Sequence, residues 1–205
     1  MLKANISEFF FDRGFLKNLK ANTNQSKINI QLIHTLSAAV EYNDEYNRGH
    51  SLRVATYARK AARQMGFSRN LVETVYIAGL LHDIGKIAVP ASILQKPGKL
   101  TNEEFIQIKR HVEYGVNILR NTERFKDVIP MIADHHERWD GSGYPVGKKG
   151  TEIHHGGRII AVADAYDAMT SRRVYRSSVD KEDAYRELRN CSESQFDPEI
   201  IKCFC

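Results

Sequence analysis

The stretch Ala78-Gly-Leu-Leu-His-Asp-Ile-Gly-Lys-Ile-Ala-Val-Pro90 decides how the rest of this chain is read. An apolar run from Val75 to Leu81 ends in two adjacent side chains able to ligate a metal, His82 and Asp83. Gly85 then permits a sharp change of backbone direction, and Lys86 puts a flexible cation beside the pair. The pattern predicts a buried helix whose last turn presents a metal site at its mouth.

Working outward, Ser68 is the N-cap expected for that helix. Before it, His50 opens a helix with Val54, Ala55, Ala58, Ala61 and Ala62 as its inward face, stopped by Gly66. Further upstream, Ile28, Leu32, Leu36, Ala39 and Val40 recur at helical spacing. Residues 1–27 read as an extension or connector and 28–205 as one domain. Phe9, Phe10, Phe11, Phe15 and Leu16 of the extension sit among Asn and Lys, a pattern suited to packing on the domain or on a second copy in a homodimer.

Downstream of Pro90, Thr101-Asn-Glu-Glu104 is a capping box opening one helix with Phe105, Ile108, Val112 and Ile118, and with His111 among them. Val128 to His136 is a further helical stretch, followed by the Gly-rich segment Trp139 to Gly147. Arg158 to Thr170 returns to a helix rich in alanine, and two short helices close the chain. No strand pattern of useful length occurs, so the expected class is all-α.

Composition bounds the function. Apolar residues are 42% and charged residues 27% of the chain, ordinary for a globular domain. No apolar run is long enough for a membrane span, and the start lacks the apolar core of a signal peptide. The three cysteines, Cys191, Cys203 and Cys205, are odd in number and clustered, which argues for free thiols and a cytoplasmic setting. The net charge of +5 suits an anionic small substrate, but no basic tract interleaved with aromatics occurs and no nucleic-acid partner is expected.

Five histidines fall at ends or faces of the expected helices: His50, His82, His111, His135 and His136. Asp83 and Asp164 join them. A lone histidine at a helix end usually caps the helix or faces solvent; the set taken together points to a metal. Imidazoles and carboxylates without thiolate suit Mn, Fe, Ni or Zn, and seven donors are too many for one ion that must also hold water and substrate. Two ions sharing a bridging carboxylate would use them well.

At this point the chain resembles an HD-GYP domain, a branch of the HD metal-dependent phosphohydrolases. The resemblance is carried by His82-Asp-Ile-Gly-Lys86, His135-His136 and Asp140-Gly-Ser-Gly-Tyr-Pro145. It extends through His50-Ser-Leu-Arg53, Lys96 to Thr101, Ala161 to Ser171, Arg173-Val-Tyr-Arg176 and Phe196-Asp-Pro198. It implies an all-α helical bundle with the Gly-Tyr-Pro loop near the metal site. It also implies hydrolysis of cyclic di-GMP to linear pGpG, with continuation to GMP left open, by hydroxide activated by two divalent ions, with Fe or Mn favoured and Ni or Zn also suited.

Carried over residue by residue, the implied ligands are His50, His82, Asp83, His111, His135, His136 and Asp164, with Asp83 as the bridge. Lys86, Arg173 and Arg176 match positions that contact substrate phosphates, and Asp83 and Lys86 would be the catalytic pair. A Glu that brings a third metal in some members is Tyr46 here, which favours two ions. A family Pro is replaced by Val174.

Alternatives stay open at several points. The substrate could instead be 3′,3′-cyclic GMP-AMP, or the domain could be a weakly active docking module. The loop at Gly143, Tyr144 and Pro145 could shape the site wall or face a GGDEF-type cyclase. Trp139 could stack a guanine or pack. Asp167 could orient a ligand or cap neighbouring structure. His34 reads as a core or interface residue, and His154 and His155 as surface residues.

Overall fold

The computed structural model describes residues 23–42, 48–171 and 179–205. The expectations that fell on residues 1–22, Tyr46, Arg173, Val174 and Arg176 lie outside them. The elements are α1 (Thr23–Tyr42), α2 (His50–Gln64), α3 (Arg69–Leu81), a 3-10 turn (Ile84–Ala88), α4 (Ala91–Leu94), α5 (Asn102–Lys109) and α6 (His111–Leu119). There follow α7 (Ile129–Asp134), α8 (His155–Thr170), α9 (Lys181–Asn190) and α10 (Pro198–Phe204), with two further 3-10 turns at Glu123–Phe125 and Gly150–Glu152. The fold is all-α, as expected; among the described residues one isolated bridge, Ser192 to Phe196, is the sole β-type pairing.

The core forms where α2 and α3 lie side by side, with α8 across α2 and against α7. Val54, Ala55, Ala58, Ala61 and Ala62 are buried as the spacing predicts, and their small side chains let the neighbouring backbones approach closely. Leu80, Leu81, Ile132, Ile159, Ile160 and Ile200 are fully buried, each worth about 1.5–3 kcal/mol relative to exposure. Ser68 caps α3 and the Thr101–Glu104 capping box opens α5, both as expected. No helix among the described residues is long and apolar enough to cross a membrane.

The first helix presents a different face from the one its apolar stripe suggests. Leu32 and Leu36 are 55% and 52% exposed, whereas Ile33, Ser37 and Glu41 are buried. The cause lies at the end of α1. Both oxygens of Glu41 accept hydrogen bonds at the start of α2, from Gly49 N at 2.7 Å and Ser51 N at 2.6 Å. Those amides have no intrahelical partner, so the carboxylate caps them. This requirement turns Ser37 and Ile33, one and two turns back, inward with Glu41.

The single helix expected after Thr101 is two helices, α5 and α6, divided at Arg110. The His111 side chain takes the carbonyl of Ile108, which an unbroken helix would give to the amide of Val112. Phe105 and Ile118, expected on the apolar face, are 47% and 45% exposed. The C-terminal helices fall where the sequence places them, each with an aspartate N-cap, Asp180 and Asp197.

Candidate metal centre

One local device recurs three times. His82 ends α3, His135 ends α7, and His111 follows the end of α5. Each imidazole turns back on its own chain, and Nδ1 lies on the carbonyl three residues earlier: His82 on Gly79 at 2.8 Å, His111 on Ile108 at 2.7 Å, His135 on Ile132 at 2.6 Å. A carbonyl only accepts, so each Nδ1 must carry the proton and donate. The helix ends thereby satisfy a free carbonyl and fix the tautomer. In each ring the lone pair is left on Nε2.

These Nε2 atoms converge. Those of His111 and His135 lie 3.4 Å apart, two lone pairs facing each other with no proton to share. A cation between them resolves that conflict, which is the observation by which this donor set fits a metal. Two groups gather: His50, His82 and Asp83, and His111, His135 and His136, each with its ligand atoms within 4.8 Å of one another. Asp83 faces both. Its Oδ2 is 3.4 Å from His82 Nε2 and 3.8 Å from His50 Nε2, while its Oδ1 is 3.5 Å from His111 Nε2. Asp164 Oδ1 joins the first group, 3.2 Å from His50 Nε2.

All seven expected ligands therefore meet in one place. Burial would keep Asp83 protonated, but Lys86, His82, His111 and His50 around it hold its carboxyl well below the usual range. Burial likewise opposes the charge on Asp164, and the hydrogen bond to His50 overrides it. The ammonium of Lys86 is not a loose neighbour of the site: it sits 2.6 Å from Asp83 Oδ2.

A family model described as HD domain matches residues 34–200. The chain belongs to the HD domain family. A cyclic di-GMP phosphodiesterase of Thermotoga maritima is 41% identical over 178 residues, covering 85% of this chain and 48% of that protein. A 3′3′-cGAMP-specific phosphodiesterase of Vibrio cholerae is 40% identical over 174 residues, covering 84% and 33%. The chain thus spans half or less of the length of these relatives. Among solved structures, a cyclic GMP-AMP specific phosphodiesterase of V. cholerae superposes with a TM-score of 0.67 at 19% identity, covering 84% of this chain and 47% of that one.

In this HD domain, Asp167 orients the His50 ring. Its Oδ2 lies 2.8 Å from His50 Nδ1, and Arg53 holds the carboxylate from the other side, Nε at 2.6 Å and a terminal nitrogen at 3.0 Å. Asp167 is thus the counterpart, for His50, of the backbone carbonyls that orient the other three rings. Asp167→Asn is expected to lower turnover and metal affinity about 10–100-fold with helix content intact. Activity against metal concentration, with circular dichroism as control, checks this.

The Gly-Tyr-Pro loop of the HD domain is anchored from within. Glu137, next to His136, is buried, and its carboxylate accepts from the amides of Val146, Gly147 and Lys148 at 2.8–3.1 Å. Asp134, on the other side of the histidine pair, accepts from Lys148 Nζ at 2.7 Å and His154 N at 2.7 Å. A Cβ on Gly143 would lie 2.3 Å from Arg138 N, so only glycine lets the loop close on this segment. Tyr144 stacks on His136, 4.8 Å between ring centroids. The structure therefore gives this tyrosine a wall-forming place.

Other candidates are structural. Trp139 bonds through its backbone to Gln195 and Gly150, and the Arg158 guanidinium lies 5.6 Å over its ring. His154 and His155, expected at the surface, are half-buried: His154 caps α8 and His155 packs on Phe67, 4.7 Å away. His34 lies 3.3 Å from the hydroxyl of Tyr76. The sequence does not single out Glu41, Asp134 or Glu137. The last two directly flank His135-His136, and acids beside a pair of candidate ligands are the available signal.

The imidazoles set a pH dependence for the metal-free HD domain. Burial pushes His111 down, His135 well down and His136 to about 3. The unfolded chain takes up protons there below about pH 6.5 while the folded chain does not, so this stability is complete above about 6.5 and is lost as pH falls. His50 behaves oppositely. Burial opposes its charge, but hydrogen bonds to Asp164 and Asp167 outweigh burial and raise it to about 10. Its contribution is complete below about 6.5 and is lost as pH rises through about 10. Melting temperature is expected to fall from pH 7 to pH 5, above the range where exposed carboxylates titrate; scanning calorimetry in chelator checks it.

Proposed function

We propose that this domain hydrolyses a cyclic dinucleotide, cyclic di-GMP first, opening it to linear pGpG. The observation that carries the reading is Asp83, whose two oxygens face the two imidazole groups. His50, His82 and Asp164 would hold one ion and His111, His135 and His136 the other, with Asp83 as the bridge. Iron or manganese best suits this mixed nitrogen and oxygen set, with nickel and zinc as the next choices. When bound, such ions offset phosphodiester charge and make water a nucleophile near neutral pH.

The chain's own residues supply the rest. Asp83 stays ionised and keeps the two groups in register. Lys86, beside it, offers ammonium hydrogens to a non-bridging phosphate oxygen as negative charge builds there. Arg173 and Arg176 would hold the substrate's phosphates through paired donors. Burial keeps the hydroxyl of Tyr144 protonated, so at the site wall it presents a donor and a ring rather than a charge.

A second substrate, 3′,3′-cyclic GMP-AMP, is favoured by a specific observation: relatives named for it match as strongly as those named for cyclic di-GMP, 40% against 41% identity. Free thiols at Cys191, Cys203 and Cys205 support a cytoplasmic setting. Contact with a GGDEF-type cyclase would fall to Pro145 and Val146, which are exposed, with Val146 at 74%.

The test loads the protein anaerobically with iron or manganese and supplies both dinucleotides in competition. Chromatography then identifies the products. Linear pGpG or GMP as the main product is the expected result. Protein that retains two ions per chain and leaves both substrates intact overturns the reading.

A further inference from the structure

His136 differs from its four partner imidazoles. His82, His111 and His135 are each oriented by a backbone carbonyl and His50 by Asp167. Among the described residues, no hydrogen bond holds the His136 ring. Its neighbours are other rings: His135 at 4.0 Å, His111 at 5.1 Å and Tyr144 at 4.8 Å, the last stacked at 24°. The two histidines belong to the same group of candidate ligands, so among the described residues Tyr144 is the ring contact to His136 from outside that group.

Tyr144 is itself held. Its amide donates to the carbonyl of His136 at 3.2 Å, which ties the loop to the ligand's own backbone. The ammonium of Lys109 lies 4.9 Å from the centre of its ring. The same ammonium lies 4.7 Å from the ring of Phe105, one turn earlier on α5. Both distances fall inside the range of about 6 Å over which a ring's quadrupole attracts a cation. Among the described residues no carboxylate pairs with Lys109, so the two rings are its electrostatic partners.

We propose that Lys109 is a positioning residue for His136. Its cation joins Phe105 to Tyr144 and holds the tyrosine ring against the one ligand imidazole that no hydrogen bond orients. The clamp stands in for the outer hydrogen bond that the other four rings have. This inference rests on the two-ion reading above and adds that the group of His111, His135 and His136 depends on a cation lying outside it.

The experiment titrates the metal-free chain with Co²⁺ alone and follows the visible d–d absorption, which reports ligand geometry without substrate. Lys109→Met keeps the length of the stem and removes the charge; Lys109→Arg keeps a cation that stacks on rings. Wild type is expected to take up two ions. Lys109→Met should bind the first normally and the second about tenfold more weakly, with an altered band. Lys109→Arg should restore both, and Tyr144→Leu, which removes the ring, should match Lys109→Met. Lys109→Met binding both ions like wild type, or Lys109→Arg failing like Lys109→Met, overturns the inference while leaving the two-ion reading intact. Wild type taking up fewer than two ions overturns both.

Discussion

Asp83→Asn is expected to abolish metal retention and turnover while leaving the helical fold in place. The amide has the volume of the carboxylate, so the packing around this buried side chain is preserved. What changes is charge and donor count. The carboxylate faces His82 and His50 with one oxygen and His111 with the other, at 3.4–3.8 Å. An amide is uncharged and offers one oxygen and one NH₂, so both imidazole groups lose their anionic partner and one of them meets a donor instead. The Lys86 ammonium, 2.6 Å from Oδ2, loses its counter-charge as well. The loss is expected to exceed the roughly 10–100-fold typical of removing an outer partner of a metal ligand. Metal analysis after gel filtration, paired with product chromatography, measures it. A variant that keeps two ions and near-normal turnover would remove Asp83 from the bridging position.

Gly85→Ala is expected to damage both fold and site. A Cβ built there would lie 1.9 Å from the carbonyl oxygen of His111 and 2.5 Å from Gly115 N. Both are backbone atoms, so no side-chain rotation relieves the clash, and the 3-10 turn must separate from α6. Overpacking of this kind costs about 3 kcal/mol or more. In a chain of this size that lowers the melting temperature by about 6–12 °C. The separation also pulls Asp83 and Lys86 away from His111, so activity should fall by more than the unfolded fraction explains. Ile87→Ala, two residues on at a 65% exposed position, is the control and is expected within about 0.5 kcal/mol of wild type. Melting curves and turnover below the melting range separate the two effects. Equal melting temperatures for Gly85→Ala and wild type would show that the turn and α6 can part without cost.

The sequence marks Gly85 as a place where the backbone can change direction. Its φ is not positive, and what makes glycine necessary there is the missing side chain against α6. Nothing local reveals that, because the clashing atoms are 26 to 30 positions away. The same holds for Glu41, whose capping of α2 fixes which side of α1 faces the core, against the evident stripe of Leu32 and Leu36. The sequence leaves Asp167 open between two roles, and the place of its carboxylate between His50 and Arg53 decides between them. The histidine device at the ends of α3, α5 and α7 is not legible in the sequence either, because it depends on where each helix stops.

The expected ligand set itself is legible in the chain, and the structure gathers its seven residues. His82-Asp83, His135-His136, His50, His111 and Asp164 announce themselves because few other roles ask for so many imidazoles beside carboxylates. The all-α class, the caps at Ser68 and Thr101 and the alanine face of α2 are likewise local, set by spacing within one helix. Tertiary structure alone decides how these donors divide into two groups about Asp83, which outer residues orient them, and that Lys109 lies over the Tyr144 ring stacked on His136. Those facts depend on distances between segments dozens of residues apart. Helix periodicity fixes the face a residue shares with its neighbours in sequence, but only packing fixes what that face meets.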